Sequence, residues 1–138
     1  MSESIEAGLC NLFGTFLRGI RKKIIQVYPF TKGDLVLDVA CGSGDQAQGY
    51  AQQGNRVIGI DLSEKMLEKG REKQSDLRIR NDYIPPYFIR GDAIKLPFTD
   101  NTFDLTMITL ALHAMNQSTR DKVLEEMQRV TKKEGKLI

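Results

Sequence analysis

The chain has 138 residues, of which 41% are hydrophobic and 28% charged, values that suit one globular domain with a single core. The formal net charge is only +2, so composition gives no strong case for binding nucleic acid or a membrane. No apolar run is long enough to cross a bilayer. The two cysteines, Cys10 and Cys41, lack metal-ligand and redox spacing, which favours a reducing, cytoplasmic compartment and no bound metal.

Residues 1–30 are predicted to form an N-terminal helical segment. Apolar residues recur at helical spacing from Ser4 to Val27, and Pro29 ends the helix because proline lacks an amide hydrogen. The segment is a candidate lid over a binding site, or a helix that simply packs on the core. The run Arg21-Lys22-Lys23 is interpreted as a solvent-exposed face.

Short apolar strands alternate with helices over residues 31–138. Strands are predicted at Leu35–Val39, Arg56–Ile60, Tyr87–Arg90, Phe103–Leu110 and from Lys136 onward, with helices at 45–53, 63–73 and 118–132. This alternation predicts an α/β fold, a Rossmann-like doubly wound parallel sheet of five strands with helices on both faces. Because residue 138 falls inside the last strand, we expect a C-terminal part of this core to be absent.

Glycine and acidic residues follow the predicted strands, where parallel sheets bind ligands. Gly42 and Gly44 follow the first strand, Asp61 the second and Asp92 the third. Taken singly, these are also an ordinary tight turn, a turn residue and a surface loop residue. Asp38 is harder to dismiss, because it lies in an apolar strand and a buried carboxylate without partners is costly.

Two adenosyl cofactors fit this arrangement. The run Gly42-Ser43-Gly44-Asp45-Gln46-Ala47 formally matches the dinucleotide pattern. Asp38 and Asp45 would, however, face the diphosphate of a dinucleotide, which is electrostatically unfavourable. S-adenosylmethionine instead carries a sulfonium and an ammonium, which carboxylates stabilise, so it is the favoured cofactor.

The same residues carry a family resemblance. The sequence resembles the class I S-adenosylmethionine-dependent methyltransferases, and among them the small-molecule group that includes the ubiquinone/menaquinone-biosynthesis C-methyltransferases. The motifs that resemble the family are 36–44, 57–67, 91–93 with 96–98, 100–104, 126–130 and 133–137. Two features depart from it, since Ala40 stands where glycine is frequent and Lys133-Glu134-Gly135 replaces a Pro-Gly-Gly turn.

The resemblance implies a cofactor site, an S-adenosylhomocysteine product, a small-molecule methyl acceptor and a C-terminal antiparallel hairpin that this chain lacks. The implied cofactor-binding residues are Asp38, Ala40, Cys41, Gly42 and Gly44 for the methionine portion, Asp61 for the ribose, Leu62, Met66, Gly91, Asp92 and Ala93 around the adenine, and Thr109 and Leu110 beside the sulfonium.

His113 is the only histidine, and it follows the fourth predicted strand on the expected substrate side. It is a candidate catalytic base, although a structural or surface role is the commoner one for a lone histidine. Three functions stay open at this point: a small-molecule methyltransferase, a catalytically silent module that binds S-adenosylmethionine or its product, and an NAD-type oxidoreductase. Neither the acceptor nor the oligomeric state can be predicted.

Overall fold

The computed structural model describes residues 16, 18–27, 31, 33–75, 84–109 and 111–138. Residues 18–27 are helical and form α1, which lies within the predicted N-terminal helical segment. Apart from residue 16, the earlier part of the predicted helix lies outside the described residues, as do Cys10 and Leu110. The boundary at residue 30 and the lid role stay predictions.

The elements after α1 follow the predicted alternation. The strands are β1 Leu35–Val39, β2 Arg56–Asp61, β3 Tyr87–Arg90, β4 Phe103–Ile108 and β5 Thr131–Leu137. The helices are α2 Asp45–Gln52, α3 Glu64–Ser75 and α4 Gln117–Val130, with a short 3₁₀ helix at Leu112–Ala114. Strand β4 therefore ends before Leu110, and α4 ends two residues earlier than predicted.

The strands form one five-stranded sheet in the order β3-β2-β1-β4-β5, and every neighbouring pair is parallel. The predicted Rossmann-like α/β fold is confirmed. The order reverses between β1 and β4, so their carboxyl ends border the crevice where such sheets bind ligands.

Strand β1 is buried on both faces, as its apolar sequence predicts. Val36 packs in the core cluster that contains Tyr50 of α2, whereas Leu37 and Val39 pack in the cluster that contains Met127 of α4. Because side chains alternate along a strand, Asp38 shares the face of Val36. Its carboxyl group therefore points to the side of the sheet that α2 covers.

Strand β5 begins at Thr131, and the prediction of Lys136 was wrong. Thr131 pairs with Phe103, Lys136 pairs with Leu105, and the register shifts between these two pairs. The hydroxyl groups of Thr131 and Thr106 lie 2.6 Å apart in the interior, which holds the start of the strand in the sheet. Residues 132–135 lie between the two pairs, where the register shifts. Their polar sequence therefore resembles a turn although they belong to the strand.

The ring of Phe88 from β3 fills a space that three glycines leave open. A Cβ atom added at Gly44, Gly59 or Gly70 would lie 2.2, 2.7 or 2.9 Å from the nearest ring atom of Phe88. Real Cβ atoms do not approach so closely. The glycines thus let the β1–α2 loop, β2 and α3 close around one aromatic side chain under the crevice.

We predict that Gly59→Ala lowers the free energy of unfolding by about 1–3 kcal/mol, because the added methyl group overpacks against Phe88. Adding Phe88→Leu should restore part of this loss. Gly19→Ala is the control, since nothing lies within 4 Å of a Cβ atom there and alanine favours the helix by up to ~1 kcal/mol. Urea denaturation of the wild type and the three variants tests this, and a Gly59→Ala chain as stable as the wild type contradicts it.

Candidate functional site

The loop from β1 to α2 turns by three residues with positive φ. Ala40, Gly42 and Gly44 have φ values of 54°, 57° and 80°, and Gly44 is the N-cap of α2. Ala40 occupies a conformation that favours glycine, at a cost of about 1 kcal/mol. Ala40, which stands where the family often has glycine, is thus a strained residue at the mouth of the crevice.

Asp38 lies below this loop and is only 2% exposed. The amide of Ala47, in the first turn of α2, donates a hydrogen bond to its carboxyl group. The other oxygen, Oδ2, is buried and has no hydrogen-bond partner among the described residues. Burial raises the pKa of Asp38 to about 7, against the lowering effect of the Ala47 amide and of Arg21. A donor or cation that reached Oδ2 would stabilise the charged form.

A cavity of about 420 Å³ opens over Asp38, within the usual size range of small-molecule sites. Seven of its lining residues were predicted from sequence: Asp38, Ala40, Cys41, Gly42, Met66, Thr109 and His113. Five were not: Arg21, Ser43, Asp45, Gln46 and Ala111. The carboxyl ends of β1 and β4 thus contribute to one cavity with α1 and α2.

Gln46 adds a second acceptor without a partner. Its side chain is 3% exposed, and its Nε2 donates to the carbonyl of Arg21 at 3.4 Å. This bond fixes which end of the amide is the oxygen, and Oε1 is buried without a partner among the described residues. Two unsatisfied acceptors in the cavity wall call for a ligand that brings donors.

The interpretation of Arg21 as part of a solvent-exposed face was wrong. Its side chain is only 26% exposed and forms an ion pair with Asp45 at 3.5 Å, whereas Lys22 and Lys23 are exposed. Ile25, one helical turn later, is 8% exposed and packs against Gly49 of α2. Residues four apart share a helix face. The apolar residue Ile25 was therefore the signal that could have predicted that Arg21 faces the core and not the solvent.

Asp45 is balanced by two cations. Besides Arg21, Lys73 of α3 lies 3.1 Å from its carboxylate and also donates to Ser43 Oγ at 3.0 Å. Asp45 therefore repels an incoming anion less than its sequence position implied. The electrostatic argument against a diphosphate therefore depends on Asp38. Its carboxyl group already accepts a hydrogen bond from the Ala47 amide at the N-terminus of α2, so this amide is not available to a phosphate.

Asp61 fastens the glycine loop to the ends of the next strands. Its Oδ2 accepts from the Gly42 amide at 2.9 Å and its Oδ1 from the Ser63 amide at 2.8 Å, while its carbonyl accepts from the Gly91 amide at 3.0 Å. Ser63 Oγ in turn accepts from the Met66 amide, as predicted for an N-cap. A carboxylate has about four acceptor positions, so two remain for a ligand.

Met66 of α3 lines the cavity, whereas the other residues predicted around the adenine lie at the ends of β2 and β3, outside its lining. Leu62 is 62% exposed. Asp92 is exposed, and its Oδ1 accepts from the Ile94 amide at 3.1 Å, a local turn bond that also fits the surface-loop reading. The cofactor roles of Asp61, Leu62, Gly91, Asp92 and Ala93 stay predictions.

His113 lies in the 3₁₀ helix, with an exposed side chain that also lines the cavity. Cys41 lines it too and is half-buried. Burial, with Asp38 and Asp61 nearby, raises the pKa of the Cys41 thiol. The thiol is therefore protonated at neutral pH and is a poor nucleophile.

Within the described ranges, no group of three or more histidine, cysteine, aspartate or glutamate side chains could hold a metal ion. No helix in the part of the chain that the structure describes is long and apolar enough to cross a membrane.

Residues 37–138 match the family model described as "Methyltransferase domain". The chain belongs to this methyltransferase family. Its predicted family resemblance is confirmed, and the crevice over β1 and β4 is the crevice of a methyltransferase domain.

Curated relatives and solved structures agree with this membership. A demethylmenaquinone methyltransferase from Renibacterium salmoninarum is 38% identical over 118 residues, covering 86% of this chain and 45% of that protein. A solved Pyrococcus horikoshii structure is 31% identical with a TM-score of 0.76, covering 91% of this chain and 52% of the other. An Aquifex aeolicus structure described as a SAM-dependent methyltransferase is 26% identical with a TM-score of 0.67, covering 81% and 58%. The chain spans about half the length of these proteins.

We predict that Asp38→Asn changes the pH dependence of stability. Because the pKa of Asp38 is about 7 when folded and about 4 when unfolded, its proton stabilises the fold fully below about pH 4. That contribution is lost as the pH rises through 7. The free energy of unfolding of the wild type, relative to the asparagine variant, should therefore fall between about pH 4 and about pH 7 and level off above that range.

Urea denaturation of both proteins at several pH values measures this difference, in which the effects of other titrating groups cancel. Parallel stability profiles across the range would contradict the raised pKa of Asp38.

Proposed function

We propose that the protein is an S-adenosylmethionine-dependent methyltransferase that acts on a small molecule. The observation that carries the proposal is the pair of buried, unpartnered acceptors, Asp38 Oδ2 and Gln46 Oε1, in the wall of a cavity at the reversal point of a methyltransferase-family sheet. An ammonium group brings three donor hydrogens for such acceptors and would stabilise the Asp38 carboxylate.

The residues of the crevice and of the neighbouring strand ends would hold S-adenosylmethionine. Asp38 and Gln46 would hold the ammonium, and Asp61 would bind ribose hydroxyls with its two remaining acceptor positions. Leu62 and Met66 would contact the adenine, whose edge would meet Asp92. Thr109 would line the sulfonium side, together with Leu110, which lies outside the described residues. When bound, the cofactor supplies an activated methyl group, and the protein aligns it with a nucleophile.

A dinucleotide fits the same crevice poorly. In dinucleotide-binding sheets the diphosphate lies against the amides at the N-terminus of the first helix. Here the Ala47 amide already donates to Asp38, and Asp38 would be a second anion beside the phosphates. Although Asp45 is neutralised by Lys73 and Arg21, no cation within hydrogen-bonding distance of Asp38 is found among the described residues. The NAD-type alternative is therefore not favoured.

For the acceptor, we propose a quinone-type aromatic ring of the class that the demethylmenaquinone methyltransferases are named for. The support is sequence identity of 38% over most of this chain. We propose that the N-terminal segment, of which α1 is the described part, covers the site, because Arg21 of α1 lines the cavity. The free, half-buried Cys41 supports a reducing, cytoplasmic compartment.

His113 is the proposed general base where the acceptor must lose a proton. It lines the same cavity as Asp38 and Met66, and imidazole is the side chain that most often serves as a general base. Its exposed position lets it meet a substrate that enters from solvent.

We predict that the chain binds S-adenosylhomocysteine and does not bind NADH, as measured by isothermal titration calorimetry. Asp38→Asn should weaken the binding of S-adenosylhomocysteine about tenfold or more, because a charge-assisted hydrogen bond is replaced by a neutral one.

Asp100→Asn serves as the control for Asp38→Asn, since Asp100 is exposed and pairs with Arg129 away from the cavity lining. Tight binding of NADH, or an Asp38→Asn variant that binds S-adenosylhomocysteine as well as the wild type, would sink the proposal.

We predict that His113→Gln leaves the Kd for S-adenosylhomocysteine unchanged and lowers kcat by about 10²–10⁴-fold. The assay is methyl transfer to a demethylated quinol by the full-length protein, with Kd measured in parallel. An unchanged kcat would assign His113 a merely structural role. The absence of transfer to any acceptor by the wild type, despite cofactor binding, would favour the silent binding module.

A further inference from the structure

Arg21 is the only residue of α1 that lines the cavity over Asp38, among those the structure describes. We propose that Arg21 binds the carboxylate of the cofactor's amino-acid group, which makes α1 part of the cofactor site. This inference rests on the proposed function, because it assigns the recognition of one group of S-adenosylmethionine to one side chain.

The charges in the cavity wall are arranged for a zwitterion. The unpartnered oxygens of Asp38 and Gln46 attract an ammonium group but repel a carboxylate. Among the described lining residues, Arg21 is the only one with a permanent positive charge. An amino-acid group that places its ammonium on Asp38 therefore has Arg21 as its electrostatic partner for the carboxylate.

Arg21 has donor hydrogens that its ion pair with Asp45 does not use. Its ion pair with Asp45 is a single contact of 3.5 Å through Nη1, whereas a guanidinium has five donor hydrogens. Lys73 holds the other oxygen of Asp45 at 3.1 Å. Asp45 would thus stay paired if the Arg21 side chain turned toward a ligand.

The two halves of the zwitterion site are already connected. The side chain of Gln46 donates to the backbone carbonyl of Arg21 at 3.4 Å, so the residue that faces the ammonium also holds the helix turn that carries the arginine. Ile25 packs the same face of α1 against Gly49 of α2. These contacts fix Arg21 at the rim of the cavity before any ligand enters.

Titration calorimetry with two probes tests the assignment: S-adenosylhomocysteine, and S-adenosylhomocysteamine, which lacks only the carboxylate. The wild type should bind the first probe about tenfold or more tightly than the second. Arg21→Ala should lose that preference, by weaker binding of S-adenosylhomocysteine with no change for S-adenosylhomocysteamine. Arg21→Lys should retain part of it.

Lys23→Ala is the matched control, because it removes a positive charge from the same helix at an exposed position that does not line the cavity. It should bind both probes as the wild type does. If Arg21→Ala weakens both probes equally, Arg21 is structural and the inference is overturned.

The outcomes separate this inference from the proposed function. If the wild type binds S-adenosylhomocysteine and Arg21→Ala keeps the full preference for the carboxylate, only the role of Arg21 fails. If the wild type binds neither probe, the cofactor assignment fails and this inference fails with it.

Discussion

The site depends on one buried carboxyl group. Asp38 is held in the interior by a single amide of α2, and its second oxygen has no partner among the described residues. An unsatisfied buried acceptor costs free energy in the empty protein, and a cationic ligand recovers that cost. An ammonium group would stabilise the ionised form of Asp38, whereas phosphates beside it would destabilise that form.

The rest of the crevice positions that carboxyl group. The glycine loop turns away from β1 so that α2 can direct an amide at Asp38, and Asp61 holds the loop through the Gly42 amide. Phe88 fills the space below, where three glycines admit its ring. The loop is thus fixed from the side by a carboxylate and from below by an aromatic side chain.

Much of the fold and part of the site could be predicted from the sequence, because they depend on local sequence patterns. Strands β1 and β3 have the predicted bounds, since short apolar runs end at glycine or charged residues, and Asp38 was found because a carboxylate in an apolar strand breaks the local pattern. The start of β5 was wrong because its pairing depends on a register shift against β4. Arg21 was missed because its burial depends on α1 packing on α2. The compensation of Asp45 could not be predicted, because Lys73 is 28 residues away in the chain.

The most direct test is the pKa of the Asp38 carboxyl group, measured by carbon NMR with and without S-adenosylhomocysteine. The account predicts a pKa of about 7 in the free protein that falls well below this value when the ligand places its ammonium on Oδ2. A pKa that stays the same on binding, or that rises, would show that no cation meets Asp38 and would contradict the account.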